Sequence, residues 1–244
     1  MKPDPSQTVV IFDLDGTFVD TAADLAAAMN HVLVAEGFAP IPAKRVRSLV
    51  GHGAKAMLKR GLADRGVGDL SESALAPRVS QFLAYYEAHI ADRSRPFPWA
   101  VETAERLRAR GSRLAICTNK TERLARLLLD ALGLSSMFEA IVGGDTVGVS
   151  KPHPRPLNHC LALCGGGRAV MVGDSDTDLV TAAAAGAPSL LFMGGYGPVR
   201  ELGLSAGVFG NHRALLTLVD RALLGGDHSP RHPVDHIATQ IRTR

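Results

Sequence analysis

The sequence predicts an α/β fold, a doubly wound parallel sheet that carries an inserted all-helical segment. Three observations point to it. Several short stretches are apolar along their whole length, as strands covered on both faces are. Helical patterns lie between most of them, and that alternation builds a parallel sheet with helices on both sides. One long interval, roughly residues 20–95, shows helical patterns only.

Residues 8–13, TVVIFD, are β-branched, end in an acid and are followed by Gly16, so they read as a buried strand and a tight turn. Residues 21–36, 43–62 and 71–91 then read as three helices, with breaks at 37–42 and 66–69. The stiff Pro96-Phe97-Pro98 segment closes that interval. RLAICT (113–118), EAIVGG (139–144), AVMVGD (169–174) and SLLF (189–192) read as further strands. Helical patterns at 100–110, 121–132, 155–164 and 178–185 accompany them. The expected division is a core of residues 1–19 and 96–225, a helical insertion of residues 20–95, and a flexible tail of residues 226–244. In the tail His228, His232 and His236 recur every four residues, but Pro230 and Pro233 prevent a regular helix.

Apolar residues make up 46% of the 244, enough for a full core. The net charge of +3 comes from dispersed Lys and Arg, and aromatics are only 5%, so no nucleic-acid partner is expected. No apolar run approaches the ~18 residues of a membrane span, and the first residues lack a signal-peptide pattern. Three cysteines cannot all pair within one chain, so reduced thiols and a cytoplasmic setting are expected. Cys117 lies in a strand-like run, and Cys160 and Cys164 are one helical turn apart. All three read as structural thiols.

In such sheets ligands bind outside the carboxyl ends of the strands, and there the sequence concentrates its chemistry. In Asp13-Leu14-Asp15-Gly16-Thr17 the two acids project to one side. They repel each other unless a cation or a proton sits between them. Alone, the run could be a solvated turn. Its companions are Thr118-Asn119-Lys120 after RLAIC, Lys151-Pro152-His153-Pro154 after EAIVGG, and Asp174-Ser175-Asp176-Thr177-Asp178 after AVMVG. Acids, a hydroxyl and a lysine thus meet at one sheet edge. Phosphoryl transfer needs that inventory. A carboxylate can attack phosphorus, Mg²⁺ takes hard oxygen ligands, and a hydroxyl and an ammonium neutralise the transferring oxygens.

These motifs, with an insertion after the first, resemble the haloacid dehalogenase superfamily, and within it the phosphatases with a helical cap. The likeness spans roughly residues 8–223. It implies a Rossmann-like core that hydrolyses a small phosphorylated metabolite with Mg²⁺ through an aspartyl phosphate. By that resemblance Asp13 is the nucleophile and a metal ligand. Asp15 is the acid and base, and its backbone carbonyl also binds the metal. Thr118 and Asn119 hold phosphoryl oxygens, with Gly16 and Thr17 beside the phosphate. Lys151 ties nucleophile to phosphate, and Pro152 keeps it in an extended loop. Asp174 is a further metal ligand, and Asp178 orients metal-bound water. Asp176 reads as a solvated residue opening the next helix, and His153 as loop structure. Trp99 stands where relatives usually show a glycine near the hinge, and reads as packing.

The segment Arg47-Ser48-Leu49-Val50-Gly51-His52-Gly53 resembles the cap of phosphoglycolate phosphatases. Gly51 and Gly53 would bring backbone N–H groups, beside His52, to a small carboxylate. His52 departs from the small or amide residue expected there. Gly143-Gly144-Asp145, the Cys117-Thr118-Asn119-Lys120 run and Gly195-Tyr196-Gly197 extend the likeness. The resemblance therefore implies 2-phosphoglycolate as substrate, with a cap that closes over the acids on hinges near Asp20 and at residues 95–98. A sugar phosphatase or phosphomutase, a pyrophosphatase and a nucleotidase would share the same core motifs. A dehalogenase does not need Asp15. A phosphonate hydrolase needs a cap lysine, whereas Lys55 and Lys59 read as solvated. A receiver-type signalling module carries its phosphorylated aspartate on a later strand and has no helical insertion.

Overall fold

The structure, a computed structural model, describes residues 8–51 and 53–224. The expectations for His52 and for the tail at 226–244 lie outside the described residues. In chain order the elements begin with β1 (Thr8–Phe12), β2 (Val19–Asp20), α1 (Ala22–Ala35), α2 (Ala43–Arg47), α3 (Gly53–Ala63), α4 (Glu72–Ala88) and β3 (Arg95–Pro96). They continue with α5 (Ala100–Ala109), β4 (Arg113–Cys117), α6 (Glu122–Ala131), β5 (Ala140–Val142), α7 (Arg155–Leu163) and β6 (Arg168–Gly173). The last are α8 (Asp176–Ala184), β7 (Ser189–Phe192), β8 (Gly207–Phe209) and α9 (Leu215–Leu224).

Six strands form one sheet in the order β5-β4-β1-β6-β7-β8, and each neighbouring pair is parallel. The chain steps outward from β1 to β4 and β5, then returns to β6 on the other side of β1. That reversal opens a crevice at the carboxyl ends of β1, β4 and β6. Successive strand residues point to opposite faces. Val10 and Phe12 pack in a core with Leu107, Leu128 and Val219, from α5, α6 and α9. Val9 and Ile11 pack with Leu157, Cys160 and Ala182, from α7 and α8. Burial on both faces is why these strands read as unbroken apolar runs. The three cysteines are buried free thiols. Among the described residues no helix is long and apolar enough to cross a membrane.

The stretch between β2 and β3 is helical, and its second helical stretch is divided. Residues 43–62 form two helices, α2 and α3, because Gly51 (φ 113°) and Gly53 (φ 82°) themselves depart from helical geometry. β2 and β3 pair antiparallel, Val19 with Pro96 and Asp20 with Arg95. A two-residue pairing is too short to show as hydrophobic alternation in the sequence. Asp24, buried at the start of α1, accepts hydrogen bonds from Arg93 N at 3.1 Å and Ser94 N at 2.7 Å. The two ends of the helical segment are thereby clipped together. Trp99 precedes α5 with φ 68°, uncommon for a bulky residue. The Arg213 guanidinium lies 3.3 Å above its ring, so Trp99 is held by stacking.

His212 is buried among Phe97, Phe192 and Phe209. Its Nε2 lies 2.9 Å from Thr17 O and so carries the proton, while Nδ1 has no partner. Burial lowers its pKa from 6.5 to about 4, opposed by the bond to Thr17. A protonated ring would place an unpaired N–H among phenyl groups. The unfolded chain takes up this proton below pH 6.5 and the folded one only near pH 4. Stability is therefore complete above pH 6.5 and falls by up to about 3 kcal/mol as pH drops through that window. His212→Gln can still donate to Thr17 but does not titrate. Urea denaturation between pH 4 and 7 should show a flatter pH dependence for it. Identical slopes would mean that His212 is not the responsible group.

Candidate active site

β1 ends at Phe12, so Asp13 emerges at the carboxyl edge, where its N–H still bonds Val172 O at 2.8 Å. The chain then turns back at Gly16 (φ 88°). A Cβ there would lie 2.7 Å from Asp174 Oδ2 and 2.8 Å from the Tyr196 ring, so only glycine permits this approach. The close turn engages both of its neighbouring groups within the protein. Gly16 N–H bonds Val19 O at 3.0 Å within the turn. The Thr17 hydroxyl donates to Asp174 Oδ1 at 2.7 Å. The turn folds onto the end of β6, and Thr17 orients Asp174.

Asp13 Oδ1 accepts from Leu14 N at 2.7 Å and lies 3.0 Å from Lys151 Nζ. Lys151 Nζ also donates to Asp178 Oδ1 at 2.6 Å. Asp178 Oδ2 takes the Ser175 hydroxyl at 2.8 Å and the backbone N–H groups of Asp174 and Ser175 at 3.2 Å, capping α8. Asp178 thus fixes Lys151 and the backbone under Asp174. Asp174 Oδ2 accepts from Tyr196 N at 2.6 Å and Gly197 N at 3.1 Å.

Asp13, Asp174 and Asp178 present carboxylate oxygens within 4.8 Å of one another. Burial raises the Asp13 pKa to about 8; Lys151 opposes this, while Asp178, Asp174 and Asp15 add to it. Asp174 is pushed up to about 6 by burial and by Asp178. Burial would lower Lys151, but Asp13 and Asp178 hold its ammonium above the usual lysine range. Among the described residues, these four buried or nearly buried acids form ion pairs only with Lys151 and Lys120. A hard divalent cation among their oxygens would remove that imbalance, so the donor set fits a metal of the magnesium type.

Asp15 Oδ1 accepts from Thr21 Oγ1 at 2.7 Å and from Lys120 Nζ at 2.7 Å. Lys120 also reaches Tyr86 OH, on α4, at 2.9 Å, and sits 4.6 Å from the centre of its ring. Burial pushes the Tyr86 hydroxyl up to about 12. The sequence reading gave Lys120, Tyr86 and Tyr196 no role. Lys120 could have been suspected from its place after Thr118-Asn119, whereas Tyr86 carried no signal, being brought in only by the packing of α4.

Thr118 is buried at the end of β4, and its Oγ1 accepts from Lys120 N at 3.2 Å. The Asn119 amide is engaged within the protein. It donates to Gly51 O at 3.0 Å and Lys151 O at 3.1 Å and accepts from Lys151 N at 2.9 Å. It clamps the Lys151 loop to Gly51. Asp176 accepts from Arg200 N at 2.8 Å and Glu201 N at 2.9 Å, organising the neighbouring loop. His153 Nδ1 accepts from Arg155 N at 3.1 Å and supports its own loop. Two cavities, of about 390 and 350 Å³, meet at Asp13, Asp15, Val50 and Gly51. One extends beside Asp174 and the other beside Thr118, Lys120, Gly53 and Tyr86.

The pattern of haloacid dehalogenase-like hydrolases matches residues 10–192, which run from β1 through β7. The chain belongs to the haloacid dehalogenase-like hydrolase family. Among curated relatives of this hydrolase, the phosphoglycolate phosphatase of Caulobacter vibrioides is 45% identical over 204 residues, covering 82% of this chain and 86% of that one. The phosphoglycolate phosphatase of Agrobacterium fabrum is 42% identical and covers 89% and 94%. The crystal structure of a predicted phosphoglycolate phosphatase from Haemophilus somnus superposes with a TM-score of 0.80 at 28% identity, covering 88% of this hydrolase and 98% of that chain.

Proposed function

We propose that this hydrolase converts 2-phosphoglycolate to glycolate and phosphate, with Mg²⁺, through a phosphorylated Asp13. The chemistry rests on one observation above others. Asp13 stands at the strand edge with Oδ1 fixed by Leu14 N–H and Lys151, inside a cluster of oxygens that calls for a cation. The substrate rests on the likeness to phosphoglycolate phosphatases at 42–45% identity over most of both chains.

In this reading Asp13 attacks phosphorus, and the phosphorus–oxygen bond to the glycolate breaks as the aspartyl phosphate forms. Asp15 gives its proton to the departing oxygen. It then takes one from the water that attacks the acyl phosphate, which frees phosphate and restores Asp13. The bonds from Thr21 and Lys120 hold Asp15 for both transfers. Lys151 offsets negative charge between nucleophile and phosphate, with the Thr118 hydroxyl beside it. The Asp13 and Asp174 carboxylates and the Asp15 backbone carbonyl would hold Mg²⁺, which when bound would supply positive charge against the transferring oxygens. Residues 20–95 act as a lid, with the β2–β3 pair as hinge, and closure excludes water from the acyl phosphate.

Metal removal is the first check. EDTA should stop turnover, added Mg²⁺ should restore it, and Ca²⁺ should inhibit, because its larger, looser coordination misplaces the attacking carboxylate. Undiminished activity in excess EDTA would take the metal out of the mechanism. Substrate choice is read from kcat/KM for 2-phosphoglycolate against sugar phosphates, nucleotides and pyrophosphate. Phosphoglycolate should lead. A tenfold advantage for any rival would leave a phosphatase with a different substrate.

A further inference from the structure

The larger cavity holds a second feature that the reaction at Asp13 does not use. Among the described residues lining it, the only cationic side chains are Arg60, from α3, and Arg200, from the loop after β7. Neither forms an ion pair with a described carboxylate. Other cations of the helical segment do: Arg45 with Asp64, Arg47 with Asp20, Lys55 with Glu72, and Lys59 with Asp69. The two ammonium groups near the nucleophile are also committed, Lys151 to Asp13 and Asp178 and Lys120 to Asp15. A substrate with a second anionic group beyond its phosphate would therefore find its free positive charge at Arg60 and Arg200.

The placement of Arg60 follows from helix geometry. It lies seven residues after Gly53, two turns along α3, and so shares the face that Gly53 presents. Helical side chains lean towards the helix N-terminus, which carries this one back to the turn of residues 49–53. There Nη1 comes 3.5 Å from Leu49 O, a long contact that orients the guanidinium without satisfying it. Arg200 lines the same cavity from the loop after β7, its backbone fixed by Asp176. A guanidinium presents a planar fork that matches a carboxylate in two-point contact.

We propose that Arg60 and Arg200 form the subsite for the substrate's carboxylate and set the preference for phosphomonoesters that carry one a carbon or two from the ester oxygen. The idea builds on the reading of 2-phosphoglycolate as substrate. Arg60 reaches the cavity from the helical segment and Arg200 from the loop after β7, so one bound carboxylate would join the two sides.

The test compares kcat/KM for 2-phosphoglycolate and for ethyl phosphate, which replaces the carboxylate by a methyl group. It uses the wild-type chain, Arg60→Gln, Arg200→Gln and Arg60→Lys, with circular dichroism on each. The ratio should fall at least about tenfold in both glutamine variants, the size of a lost hydrogen bond to a charged group. Arg60→Lys should fall between wild type and Arg60→Gln. If wild type prefers phosphoglycolate and the glutamine variants keep its ratio within about threefold, the subsite is wrong while the substrate reading stands. If wild type shows no such preference, the substrate reading fails. The subsite is then judged on 3-phosphoglycerate against glycerol 3-phosphate with the same variants. A carboxylate preference there that both variants erase upholds it, and no preference, or one that survives, overturns it.

Discussion

Asp13→Asn should lower turnover by roughly 10⁴-fold or more while leaving the fold intact. An amide fills the same space and can still accept from Leu14 N–H, but it is not an anionic nucleophile. The substitution also removes one acid from a crowded group, since burial and the neighbouring Asp178, Asp174 and Asp15 together raise the Asp13 pKa to about 8 despite Lys151. The melting temperature should therefore be equal to or above that of the wild type. Phosphate release and thermal unfolding would be measured on the same preparation. Substantial turnover in a folded variant would reject Asp13 as nucleophile, and a collapsed melting temperature would show that its charge holds the fold.

The opposite balance is expected at Lys151. Its ammonium lies between Asp13 at 3.0 Å and Asp178 at 2.6 Å, and the residue is 3% exposed. Lys151→Met keeps most of the stem but leaves both carboxylates buried without their cation. Losing one partner of such a group costs about 3–5 kcal/mol, so the urea midpoint should fall sharply and turnover should collapse as well. A second change separates the two losses. Asp178→Asn added to Lys151→Met removes one stranded charge and should recover part of the stability, but none of the activity. Unchanged stability in Lys151→Met would mean that Asp13 and Asp178 do not depend on this ammonium.

Most of the sheet was legible because its strands are buried on both faces and separated by amphipathic helices. Runs such as TVVIF and AVMVG have few other readings. β8 was missed because Gly207–Phe209 is short and only partly buried. β2 and β3 escaped because two-residue strands leave no periodicity. The helical stretch over residues 43–62 divides at the turn that carries Gly51 and Gly53, with the following helix beginning close to the expected Ala54. At the site, Asp13, Lys151 and Asp174 converge because each follows a parallel strand, an outcome of topology that the sequence contains. Thr17 and Asn119 show where that reasoning stops. Their residue types suit a phosphate, but a turn that folds onto Asp174 and a loop clamped to Gly51 engage their side chains elsewhere. Tyr86 reaches Lys120 only because α4 packs on α1 and α3 beside the site, which no local pattern announces.

Rapid acid quench of the enzyme during turnover of 2-phosphoglycolate labelled in its phosphate tests the proposed mechanism most directly. The account predicts a transient, acid-stable and hydroxylamine-sensitive label, mapped to the peptide that contains Asp13 and absent from Asp13→Asn. Label on any other residue, or on the Asp13→Asn enzyme, would contradict it.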